Sequence, residues 1–133
     1  MLPIVLNLHL YNMVLVLTTS TVTGIWGLVL YFRDKKPEAI NQPWKIALIV
    51  TALDGLLQGL LGVTLVLLGQ KPGGGSLYYL HYVYGAIVLL AIPVAYTYAS
   101  KNVRRTILIL SISALIIAAA GARAMMTGLG IGS

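Results

Sequence analysis

Cysteine is absent from these 133 residues, which excludes disulfide bonds, thiolate metal sites, iron–sulfur clusters and covalent attachment of a cofactor through paired thiols. Charge is scarce as well. Aspartate and glutamate together number three, lysine and arginine nine, and charged residues make up 9% of a chain that is 59% hydrophobic with a mean hydropathy of +0.92. A soluble domain carries about 25% charged residues, so water is not the solvent for most of this surface. The net charge of +6 does not call for a nucleic-acid partner; its meaning lies in where the basic residues fall. A cleavable leader is also not indicated. The segment Leu2–Phe32 lacks a basic beginning and is far longer than the apolar part of a signal peptide. It reads as a retained membrane helix.

What is present is four apolar stretches, each near or above the roughly 20 residues a helix needs to cross a bilayer: 4–32, 44–69, 77–99 and 105–129. Punctuation separates them. A charged segment, RDKKPEAINQP (Arg33–Pro43), is followed by a Pro/Gly-rich turn, GQKPGGGS (Gly69–Ser76), and a basic corner, SKNVRR (Ser100–Arg105). Connections this short make successive helices antiparallel neighbours. The expectation is an all-α fold: one domain over residues 1–133, an integral membrane, antiparallel up-down four-helix bundle. The first and third loops hold Arg33, Lys35, Lys36, Lys45, Lys101, Arg104 and Arg105, whereas the second holds only Lys71. The positive-inside rule then places both termini outside, in what is expected to be a multi-pass protein of a prokaryotic plasma membrane. Tyr31, Phe32, Trp44, Tyr78, Tyr79, Tyr96 and Tyr98 lie near span ends, as an aromatic belt at the two interfaces would.

Polar residues within a span carry the functional information, because hydrocarbon penalises them unless they have partners or a task. They are His9, Asp54, Gln58, His81 and Arg123, with a hydroxyl run at Thr18, Thr19, Ser20, Thr21 and Thr23. The hydroxyls are expected to bond back to carbonyls one turn earlier. His9 lies five residues past Ile4, His81 five past Ser76, and Arg123 late in the fourth span. At about 1.5 Å rise per residue, all three share one layer near the outer face. Helices 1 and 3 are diagonal in such a bundle, about 14 Å apart if neighbours are about 10 Å apart. Two inward imidazoles, each about 2 Å from a shared metal, leave space there for a haem. Gly62, Gly85 and Gly121 would make room for the porphyrin, and Arg123 would face a propionate, with Tyr78, Tyr79 and Lys71 as further donors at the rim. Zinc or copper is disfavoured, since no cysteine, third histidine or nearby carboxylate supports it. Asp54 lies in the inner half. It is read as an interhelical hydrogen-bonding residue, paired with a helix-1 threonine or Tyr96.

The stretch LQGLLGVTLVLLGQKPGGGSLYYLHYVYGAIVLLAI (Leu57–Ile92) resembles one four-helix half of the haem A synthase family. HLYNMVLVLTTSTVTG (His9–Gly24) is similar to that family's other ligand-bearing helix, and AGARAMMTGLG (Ala120–Gly130) to a glycine-rich segment of it. The resemblance implies His9 and His81 as axial ligands of a non-covalent haem b. It does not extend to a second histidine set, an intramembrane glutamate or a cysteine pair, so haem A synthesis by this chain alone is not implied. Small four-helix b-type cytochromes are the wider class it looks like.

The function expected is therefore electron transfer by a membrane b-type cytochrome, a haem-binding protein rather than a stand-alone enzyme. Quinol or a redox partner protein would exchange electrons with it, in a homo-oligomer or a larger complex. The alternatives are a structural or assembly subunit without a cofactor, a haem A synthase-like haem-binding protein, and a proton-coupled carrier centred on Asp54. Against the last stands the absence of an inverted repeat.

Overall fold

A computed structural model describes residues 1–73 and 75–131. Gly74, in the glycine-rich turn, and residues 132–133 lie outside the described residues. Four helices make up the fold: α1 (Leu2–Arg33), α2 (Gln42–Leu67), α3 (Tyr79–Tyr96) and α4 (Val103–Gly128), with no strand among the described residues. Each is long and apolar enough to cross a membrane, and the protein is a multi-pass, antiparallel four-helix bundle in contact with lipid. Sequential helices are neighbours and α1 closes the ring on α4, so α1 and α3 face each other across one diagonal.

Helix ends fall within three residues of the expected spans, and local chemistry accounts for the differences. Pro43, expected to close the first loop, instead sits in the first turn of α2, where its missing N–H costs nothing. Asn41 caps that turn by accepting from the Trp44 N–H at 3.0 Å, and Asn102 does the same for Arg105 at the start of α4. The other ends of α2 and α4 share one device. Gly69 and Gly130 adopt left-handed φ values of 78° and 77°. Their N–H groups donate to Val66 and Thr127, and the next residues, Gln70 and Ile131, donate to Leu65 and Met126. This is the Schellman arrangement that returns donors to orphaned carbonyls.

Lipid is as apolar as leucine, so close backbone approach and dispersion, more than water exclusion, hold membrane helices together. The most enclosed helix is α4. Its buried side includes Ile107, Leu110, Ser111, Ala114, Ile117, Gly121 and Ala124, a helical stripe rich in small residues. A methyl group on Gly121 would come within 2.7 Å of Met13 Cε and 3.2 Å of Leu17 Cδ2, so this glycine seats α1 on α4.

The two ends of the bundle differ. At the end of the basic loops, Trp44 is 0% exposed. Its Nε1–H donates to the Thr23 carbonyl at 3.0 Å, and its ring fills the notch at Gly27, where a methyl group would come within 2.6 Å of it. Trp44 is thus a core residue and not part of the interfacial belt. The hydroxyls of Thr23 and Thr51 meet at 3.0 Å beside it. At the other end, the α2–α3 connection docks on α4, with the Gly73 N–H donating to the Gly128 carbonyl at 2.8 Å. A Cβ on Gly73 would lie 2.5 Å from the Gly130 nitrogen, so only glycine permits this approach.

Candidate functional site

α2 and α3 touch in the middle of the bundle, where a methyl group on Gly55 would be 2.8 Å from the Val88 carbonyl and one on Gly59 would be 3.3 Å from Leu89. One turn on, they part. Gly85 has nothing within 4 Å of a built Cβ, and Gly62 meets only the His9 ring, at 3.4 Å. Between them lies a cavity of about 610 Å³ lined by all four helices and the α2–α3 connection. That volume falls within the range of small-molecule and cofactor sites. Its walls are mostly apolar, with His9, Gln58, Gln70, Lys71 and His81 as the main polar residues along them.

The imidazoles of His9 and His81, from diagonal helices, have ring centroids 6.2 Å apart at an interplanar angle of 61°. His81 lies in the first turn of α3, and its ring rests where Gly128 has no side chain, 3.0 Å from a Cβ built there. Its Nδ1 is 2.7 Å from the Ala124 carbonyl. A carbonyl can only accept, so Nδ1 carries the proton and the neutral ring keeps its lone pair on Nε2.

The state of His9 follows from a longer chain of donors. The Asn12 side-chain amide donates to the Asp54 backbone carbonyl at 3.0 Å, and that carbonyl fixes which end of Asn12 is nitrogen. The same amide donates to Gln58 Oε1 at 2.9 Å. The other end of Gln58 is therefore its NH₂, which faces His9 Nε2 at 3.4 Å. His9 Nε2 thus accepts, and its proton sits on Nδ1. That contact is long for a hydrogen bond, and the Gln58 NH₂ has a second acceptor in Met13 Sδ at 3.6 Å. His9 Nδ1 and Asn12 Oδ1 are buried without partners. Asn12 is 5% exposed, the buried hub of the network.

Both imidazoles are thus set as Nε2 bases, the form that binds a metal. Among the described residues no group of three or more His, Asp or Glu side chains surrounds a common point. A bare ion held by this pair would lack half of a tetrahedral protein shell. Two imidazoles are a donor set that would suit a cofactor bringing most of its metal's ligands itself.

The structure brings His9, His81, Gly62 and Gly85 onto one cavity and leaves Arg123 and Gly121 off its lining. The Arg123 guanidinium lies 5.9 Å from the Tyr84 ring centroid and donates to Met126 Sδ. The depth of Arg123 is that of the histidines, but its direction around α4 is not. The cation on the cavity wall is Lys71, whose Nζ lies 5.9 Å from the Tyr78 ring. Asp54 pairs with a helix-1 threonine, its Oδ2 accepting from Thr19 at 3.0 Å. Thr18 and Ser20 bond back to Val14 and Val16 as expected. Sequence reasoning missed Asn12, Gly128 and Gly73. For Asn12 a signal was present: an amide three residues after His9 in an otherwise apolar run lies on the same helix face. The chain matches no protein-family model, no curated protein and no solved structure.

Proposed function

We propose that this protein is a membrane b-type cytochrome in which His9 and His81 would hold one haem b in the cavity, for electron transfer. The observation that carries the reading is the pair of imidazoles from diagonal helices, 6.2 Å apart between ring centroids on one apolar cavity. A haem held by these two imidazoles would supply one-electron transfer. The chain's own residues supply the rest. The Ala124 carbonyl and the bare surface of Gly128 orient His81, and the Gln58 NH₂ reaches both His9 Nε2 and Met13 Sδ. Gly62 and Gly85 leave room beside the rings, and Lys71 offers the cationic partner for a carboxylate at the rim. With the basic loops in the cytoplasm, the site faces the outside of a prokaryotic plasma membrane. A redox partner protein or quinol would exchange electrons there.

A second reading is a structural or assembly subunit, in which the histidine bonds to Gln58 and Ala124 only join helices. It leaves the cavity without a use. An absorption spectrum of the detergent-purified protein before and after dithionite tests the choice. A sharp Soret band with resolved reduced α and β bands is expected, lost in His9→Ala and in His81→Ala and kept in Asp54→Asn. A preparation that stays colourless after haem is added would overturn the cytochrome, and a normal low-spin spectrum in both alanine variants would overturn the ligands.

A further inference from the structure

At the opposite end of the bundle, α1 and the start of α4 enclose a second, smaller cavity of about 360 Å³, lined by Tyr31, Lys35, Asn102, Arg104, Arg105 and Leu108. Three of its six lining residues are cationic and none is acidic. Arg104 is held in place: its Nε–H donates to the Tyr31 carbonyl at 3.2 Å and its guanidinium lies 3.8 Å from the Tyr31 ring centroid. These contacts leave its terminal N–H donors without a partner among the described residues. Lys35 Nζ lies 5.9 Å from the Phe32 ring, again with no carboxylate partner. The start of α4 adds the positive end of a helix dipole. Such a set of uncompensated donors, with Arg104 fixed among them, suits a phosphate, which accepts several charge-assisted hydrogen bonds at once.

The surroundings decide whose phosphate it is. Leu108 lines the cavity, and beyond it Ile112 and Ile116, 45% and 47% exposed, continue at four-residue spacing along the lipid-facing side of α4. An inorganic anion has no use for that strip; an acyl chain does. We propose that this cavity is a binding site for an anionic phospholipid, its phosphate held by Arg104, Arg105 and Lys35 and one acyl chain lying along Leu108, Ile112 and Ile116. The site shares no residue with the histidine cavity and stands whether or not haem binds there.

Native mass spectrometry of the full chain in detergent, titrated with phosphatidylglycerol or with phosphatidylcholine, tests it. One tightly retained phosphatidylglycerol is expected. Basic residues near a membrane surface each contribute about fivefold in affinity, so the triple variant K35Q/R104Q/R105Q should erase the preference over phosphatidylcholine. The variant R33Q/K36Q/K101Q, with the same change of net charge outside the cavity, should keep it. If the first variant does not fold, R105Q alone, at an exposed side chain, should lower the preference about fivefold. Equal affinity for the two lipids, or equal loss in both triple variants, would overturn the site. Stoichiometric binding of inorganic phosphate that displaces the lipid would overturn the lipid assignment in favour of a soluble anion.

Discussion

The two ends of this bundle are made of similar material and finished in opposite ways. At the basic end a glycine on α1 meets an indole: Trp44 is wholly buried against Gly27, with its N–H satisfied by Thr23. At the other end a glycine on α3, Gly85, meets nothing within 4 Å. A glycine in a membrane helix therefore does not itself mark close packing or a pocket. The residue opposite decides. A void between apolar walls gives up dispersion contacts, and the fold sustains this one through specific tethers: the Gly73–Gly128 bond across the rim and the amide network of Asn12 and Gln58 along one wall.

The same substitution at the two glycines is the sharpest way to break this contrast. Gly27→Ala pushes a methyl group into Trp44 and Ser111 and should destabilise by about 1–3 kcal/mol, read as a lowered thermal midpoint by circular dichroism in detergent. Gly85→Ala should be neutral, or stabilising by up to about 1 kcal/mol through helix propensity. Similar losses at both positions would show that the two ends are packed alike. A smaller effect is expected from Asn12→Ala, which leaves Gln58 Oε1 without its donor. Interhelical hydrogen bonds in membranes average about 0.6 kcal/mol and reach about 1.7, and the upper figure applies because the site is buried and the bonds are shared. The same variant frees Gln58 to reverse, so the His9 tautomer should change in imidazole nitrogen NMR shifts; an unchanged tautomer would refute the donor chain. Smallest is Thr19→Val, mid-bundle, which removes one bond to Asp54. It should cost about 0.6 kcal/mol or less by the same thermal measurement and leave the His9 signals in place.

Depth was legible in the sequence, and direction around each helix was not. The spans and the level of His9, His81 and Arg123 follow from hydropathy and residue count, since water at both ends of a span fixes its position along the normal. Rotation lacks that signal. The inward and the lipid-facing sides of a membrane helix both favour apolar residues, so the periodicity that tells core from surface in a soluble helix is weak here. Arg123 shares the histidines' end of the bundle but lies off the cavity lining, with Tyr84 as its ring contact. Trp44 was placed correctly at a span end but faces into the bundle. The threonine partner of Asp54 was foreseen because carboxylate and hydroxyls share a depth and few alternatives exist. The setting of both tautomers was not legible, because it depends on backbone carbonyls, Asp54 and Ala124, that any residue type would provide.

The position of the last helix has a consequence for biosynthesis. Both histidines precede α4 in the chain, yet the carbonyl that orients His81, the glycine against which its ring rests and the carbonyl that anchors the α2–α3 connection all belong to α4, at Ala124 and Gly128. A nascent chain with three helices inserted holds both imidazoles without the wall that sets them. The wall of the cavity at Ala124 and Gly128 is thus completed only when the fourth helix enters.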